Sequence, residues 1–264
     1  MGETKASDSG AFSGRKVLLV GTGGIGAAIA HRLAGAGASI FGTYHGNRDG
    51  AAALEAQLPA GSWAGGARLD AVDPAAVQDI AGSDGAAAKA LGGIDTLIVT
   101  TGHRHELKVL KDTEPELLRE ILDTELYGPM LLVRAVLPAM LDAGFGRIVL
   151  IGSDSGKAGT LGDAASSAAR AGLAGMARSV ARETARSDVS INVVSPGPTD
   201  TQLLAQLLAD EGFSGKVMGG TLKAVPKGRP AHAEEVAAAV AHLASLEAGY
   251  TTGQVLSVSG GLTM

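Results

Sequence analysis

Short apolar, β-branched runs separated by longer Ala- and Leu-rich stretches recur along these 264 residues, and that alternation restricts the fold more than any other feature. The runs lie at Lys16 to Val20, Ser39 to Gly42, Thr96 to Val99, Arg147 to Ile151, Ser190 to Val194 and Gln254 to Val258. Helical apolar spacing fills most of the intervals, so the chain is expected to build parallel βαβ units with right-handed crossovers. Val17, Leu18, Leu19, Val20 and Ile148, Val149, Leu150, Ile151 are apolar at every position rather than at alternate ones. Strands of that kind are covered on both faces. The expected class is therefore α/β, a single doubly wound parallel sheet with helices on both faces.

A hydrophobic share of 45% against 19% charged residues suits a chain that buries a large core. Residues 1–13 are small and polar and are expected to form a loose tail. Residues 14–264 are expected to form one domain. The stretch from Asp200 to Pro230, rich in Gly and Leu, interrupts the alternation and is expected to be a mobile lid over a partly apolar pocket. The net charge of −5 provides no positive field for nucleic acid or anionic membranes, which leaves a small molecule as the expected partner. With no cysteine and no recognisable His and carboxylate spacing, no metal site is expected, and a reducing, cytoplasmic setting fits.

In doubly wound sheets ligands collect beyond the carboxyl ends of the strands. The first strand runs directly into Gly21, Thr22, Gly23, Gly24, Ile25, Gly26 and then a helical stretch. This is strand, GxGxxG, helix. The first glycine permits the turn, the second admits a pyrophosphate, and Gly26 lets helix and strand pack closely; the helix N-terminus faces the phosphates. The expected architecture is thus of Rossmann type. About twenty residues further on, an NAD site would offer a carboxylate to the ribose 2′-hydroxyl. Here Thr43, Tyr44, His45, Gly46, Asn47 and Arg48 precede the first carboxylate, Asp49, so NADP(H) is favoured over NAD(H).

Other segments follow in a familiar order: Leu69, Asp70, Ala71, Val72, Asp73; then Ser195, Pro196, Gly197, Pro198, Thr199, Asp200, Thr201; then Gly228, Arg229, Pro230 through to Gly260, Gly261. In order and spacing the chain resembles the short-chain dehydrogenase/reductase family from Gly14 to Gly261. The resemblance implies that Asp70 accepts the adenine amino group, that Ala71 lines the adenine pocket, and that Pro196, Gly197, Thr199 and Thr201 contact the nicotinamide amide. It also implies a homodimer or homotetramer packed through the long helices that carry Glu125 and Ser166.

The departures from the family gather where its chemistry lies. Its Asn, Asn, Ala, Gly after the fourth strand is Val99, Thr100, Thr101, Gly102 here, and its active-site Asn before Leu, Thr, Gly is Glu125 before Leu126, Tyr127, Gly128. Ser153 fits the catalytic serine. Thirteen residues on, the family's Tyr and Lys are Ser166 and Arg170, followed by Ala171, Gly172, Leu173 as in ordinary members.

In ordinary members the tyrosine protonates the carbonyl oxygen while the lysine lowers its pKa and holds the ribose. Ser166 is shorter and far less acidic, so at most it positions a water. Arg170 stays charged and can hold the ribose or stabilise an oxyanion. Replacement acids are sought among His103, Arg104, His105, Glu125 and Tyr127. The function this implies is NADP(H)-dependent reduction of a small organic ketone or enone. Enones suit because conjugate reduction depends less on a phenol, and some enoyl-type reductases resembling this family also lack the tyrosine. Two alternatives stand beside it. One is a catalytically silent NADP(H)-binding sensor or assembly protein. The other is a cofactor-independent, dehalogenase-like lyase: halohydrin dehalogenases resemble the family and use Ser, Tyr and Arg, but they lack the glycine loop, and this chain lacks their tyrosine.

Overall fold

The computed structural model describes residues 10–264, so the first nine residues of the expected tail lie outside the described residues. Seven parallel strands, β1 (Lys16–Val20), β2 (Ser39–Tyr44), β3 (Trp63–Arg68), β4 (Thr96–Val99), β5 (Phe145–Ile151), β6 (Asp188–Pro196) and β7 (Val255–Val258), form one sheet in the order β3-β2-β1-β4-β5-β6-β7. The chain turns back between β1 and β4, and the crevice for a ligand opens at that switch.

The helices are α1 (Ile25–Gly35), α2 (Arg48–Gln57), α3 (Pro74–Ala81), α4 (Ala86–Leu91), α5 (Pro115–Leu122), α6 (Gly128–Asp142), α7 (Ser155–Ala158), α8 (Ala164–Glu183), α9 (Gln202–Ala209), α10 (Phe213–Ala224) and α11 (Ala233–Ala244), with a π-helical turn at Asp123–Tyr127. Alternate strand residues feed opposite layers. Val17, Leu19 and Val149 pack with Ile29 and Leu33 of α1 and with Val236 and Val240 of α11. Leu18, Val20 and Ile148 pack with Val77 of α3, Leu132 of α6 and Leu173 of α8. Both faces of each central strand are dry, which is why its sequence does not alternate.

Two expectations need correction. The strand β3 was absent from the expected runs because its sequence, Trp-Ala-Gly-Gly-Ala-Arg, carries little apolar signal. Phe12, expected in the loose tail, is 4% exposed in the core below α1, with its N–H bonded to the carbonyl of Ala36 at 2.9 Å. The expected lid is built from α9 and α10, with Thr201 capping α9 through a bond from the Leu204 N–H. No helix among the described residues is long and apolar enough to cross a membrane.

Candidate active site

The glycine loop is shaped by close approach. The hydroxyl of Thr100, at the end of β4, donates to the carbonyls of Gly21 (2.8 Å) and Val20 (3.1 Å). A Cβ on Gly21 would collide with that hydroxyl, and a Cβ on Gly26 would collide with the Gly21 carbonyl. Gly24 caps α1 at φ +47° without a side-chain bond, and a Cβ at Gly23 would meet open space. The amides that begin α1 are thus free of side-chain caps beside an open cradle, as a diphosphate requires. Thr22 points inward and is buried against the sheet near Gly42.

At the end of β2 the carbonyl of Thr43 accepts the Gly21 N–H at 3.1 Å, and the Thr43 side chain is buried. Tyr44 is half-buried and His45 exposed. Asn47 is occupied as the cap of α2, accepting the Gly50 N–H at 2.9 Å. Arg68 at the end of β3, which sequence reasoning missed along with its strand, pairs in register with Tyr44 and donates from Nε to the His45 carbonyl at 3.1 Å. Asp70 accepts the Val72 N–H at 3.2 Å, and the carbonyl of Ala71 abuts Gly128 at the start of α6.

A cavity of about 310 Å³ opens beyond the ends of β4, β5 and β6. It runs from Ile25 at the start of α1 to Ser153, Ser166 and Arg170, and Thr100, Thr101, Gly102 and His103 form part of its wall. Pro196, Gly197, Thr199 and Thr201 line it too, and the Thr201 methyl would lie 3.5 Å from a Cβ on Gly24. Leu203, Leu204 and Leu207 of α9 and Met218 of α10 supply an apolar cover.

At the far end Glu125, Ser166 and Arg170 form one closed unit. Glu125, in the π turn and 3% exposed, accepts the Ser166 hydroxyl on Oε2 at 2.6 Å. Its Oε1 receives the guanidinium of Arg170 at 3.0 Å and the His103 backbone N–H at 2.9 Å. Arg170 also donates to the carbonyls of Ile151 (2.8 Å) and Thr101 (3.0 Å). The Ser166 hydroxyl is thus engaged by Glu125. The π turn is a common feature of functional sites and turns Glu125 inward. Tyr127, two residues later, projects to the opposite side: it is 44% exposed and absent from the cavity wall, which corrects its candidacy as an acid.

The Ser153 hydroxyl oxygen accepts the Ser155 N–H at 3.2 Å, which leaves the Ser153 proton for an acceptor in the cavity. Across from it, His105 Nε2 lies 2.9 Å from Asp163 Oδ1. The hydrogen bond to Asp163, together with the charges of Asp163 and Glu125, raises the His105 pKa above its usual value despite burial. Asp163 escaped sequence reasoning; the signal available was an acid at the N-cap of the long helix, three residues before Ser166. No cluster of three or more His, Cys, Asp or Glu side chains arranged for a metal occurs among the described residues.

The residues present are compatible with the dinucleotide that the resemblance implies. The cradle at Gly23 is open, and Thr101 Oγ1 and Arg170 Nε, both in side chains that line the cavity, are buried and unbonded among the described residues. A parallel sheet with this strand order, a glycine loop at its switch and a polar cluster across from it define a Rossmann-like α/β protein.

The family model described as Enoyl-(Acyl carrier protein) reductase matches residues 20–263. The chain is 37% identical over 254 residues to the 3-oxoacyl-[acyl-carrier-protein] reductase FabG of Escherichia coli (strain K12), covering 96% of this chain and 99% of that protein. It is 35% identical over 264 residues to the 3-oxoacyl-[acyl-carrier-protein] reductase MabA of Mycobacterium avium, covering 98% and 94%. Among solved structures, levodione reductase superposes with a TM-score of 0.87 at 27% identity, covering 95% of this chain and 98% of that one. The chain belongs to the short-chain dehydrogenase/reductase family.

Proposed function

We propose that the protein is an NADP(H)-dependent reductase of a small organic ketone or enone, working with a substituted acid-base site. One observation carries this reading: a single cavity joins the uncapped start of α1 to the cluster of Ser153, Ser166 and Arg170. The glycine loop from Gly21 to Gly26 would hold the diphosphate, Asp70 the adenine, and the segment from Pro196 to Thr201 the nicotinamide amide. The end of β2 supports NADP(H), since it offers no carboxylate and has Arg68 alongside. The relatives named as reductases support the reaction class.

When bound, the cofactor supplies the hydride, and the protein supplies orientation and charge. Ser153 donates to the substrate oxygen and fixes its direction. Arg170, with Nε still available, holds the ribose and places positive charge beside the developing oxyanion. Glu125 locks that guanidinium in place. Exposed Tyr127 and Met130, on and beside the π turn, support association into a homodimer or homotetramer through these helices.

A second reading, a catalytically silent NADP(H)-binding protein, draws on the closed contacts among Glu125, Ser166 and Arg170. Oxidation of NADPH with acetoacetyl-coenzyme A and with 2-cyclohexenone separates the two. Turnover of either supports the reductase, and tight NADPH binding without turnover across ketone and enone panels supports the silent protein.

A further inference from the structure

We propose that His105, held by Asp163, is the proton donor of the reduction and is recharged through His103. The inference rests on the reductase reading above. Elimination leads to it first. Ser166 is committed to Glu125, and both Glu125 oxygens act as acceptors. A guanidinium does not give up its proton at working pH, and the Ser153 alcohol is a weak acid. Tyr127 lies outside the cavity. Asp154 also lines the wall, with Oδ1 accepting from Ser257 of β7 and Oδ2 buried without a partner among the described residues, and it is the rival that the test below separates from His105.

Placement supports the same residue. Asp163 occupies the N-cap position of α8 three residues before Ser166, with its side chain turned to His105 instead of the helix amides, and all three residues line the same cavity. The His105 segment is pinned by Leu107, whose N–H donates to Ser214 of α10 at 2.9 Å, and by Lys108, whose N–H donates to the Gly162 carbonyl at 2.9 Å. Nε2 of His105 is engaged by Asp163 at 2.9 Å, whereas Nδ1 has only the longer contact to His103, so Nδ1 carries the more weakly held, transferable proton. Nδ1 of His103 lies 3.4 Å from it, and Nε2 of His103 lies 3.6 Å from Glu120, whose side chain is 65% exposed. The charged groups facing the pair are therefore Asp163 on α8, Glu125 in the π turn with its partner Arg170, and Glu120 on α5. The hydrogen bond to Asp163 and the charges of Asp163 and Glu125 favour the His105 imidazolium, in keeping with its raised pKa.

In the reduction, the His105 Nδ1–H bond breaks and an O–H bond forms on the substrate oxygen as hydride adds to carbon. The nicotinamide is oxidised and the carbonyl reduced. The neutral imidazole regains its proton from solvent through His103. Asp163 is a positioning residue, and His105 is the catalytic one.

The test combines NADPH binding by nucleotide fluorescence, histidine side-chain NMR titration, and kcat for NADPH-dependent reduction of acetoacetyl-coenzyme A from about pH 5 to 9. His105→Gln is expected to bind NADPH as the parent does and to lose kcat by about 100-fold or more. Asp163→Asn is expected to lower the His105 titration midpoint and to move the alkaline limb of kcat down with it, with KM little changed. Full kcat in His105→Gln, a His105 midpoint indifferent to Asp163→Asn, or loss of activity in Asp154→Asn but not in His105→Gln each overturns the inference. A parent protein that binds NADPH without turnover removes the reductase reading and the inference with it. Equal turnover by parent and His105→Gln removes only the inference.

Discussion

The Ser166 hydroxyl donates a hydrogen bond to the buried Glu125 carboxylate at 2.6 Å, which directs it at a carboxylate within the protein. Ser166→Ala should therefore change kcat by less than about threefold while costing about 1.5–3 kcal/mol of stability for the bond lost from a buried carboxylate. Steady-state kinetics and urea denaturation check both. Loss of activity on the scale of a missing proton donor would contradict the placement.

Arg170 neutralises a carboxylate that is 3% exposed. Arg170→Ala leaves Glu125 buried and unpaired and should cost about 3–5 kcal/mol, read as a fall in the denaturation midpoint. Glu125→Gln in the same background should restore much of that loss. Additive single effects would show that the two do not act as a pair.

Gly26 faces the Gly21 carbonyl with no room for a Cβ. Gly26→Ala should push the loop away from α1, weakening NADPH binding by about tenfold or more and costing about 1–3 kcal/mol. Gly23→Ala, where a Cβ meets open space in the absence of nucleotide, should leave stability nearly unchanged while still weakening NADPH binding. Fluorescence titration and thermal melts separate the two effects.

The central sheet was legible because strands covered on both faces, such as β1 and β5, keep unbroken apolar runs. The strand β3 was not, since Gly65 and Gly66 pack under Phe41 and Trp63 and leave little side-chain pattern. From the sequence, Ser166 and Arg170 are expected at the family's Tyr and Lys positions and Glu125 at an Asn position. That these three bond to one another was not visible, because it depends on a π turn, which has no sequence signature here. The pairing of His105 with Asp163 was hidden for a similar reason: 58 residues separate them, and only the folded loop brings them to 2.9 Å.

Glu235 closes a capping box at the start of α11, accepting the His232 N–H at 2.8 Å, and pairs with Arg229 at 2.7 Å. Its hydrogen bond from Arg229, then that from His232, lowers its pKa from 4.5 to about 2. A lowered carboxylate pKa contributes stability that is present above the unfolded value and lost as pH falls through the folded one. The difference in melting temperature between the parent and Glu235→Gln should thus be largest above pH 4.5 and shrink toward pH 2. A constant difference across that range would contradict the assignment.

Calorimetric titration of the folded protein with NADPH and with NADH tests the account at its root. The glycine loop, the carboxylate-free end of β2 and the cavity beyond them predict saturable NADPH binding at one site per chain, tighter than NADH by about tenfold or more. Absence of binding by either nucleotide to well-folded protein would contradict the account.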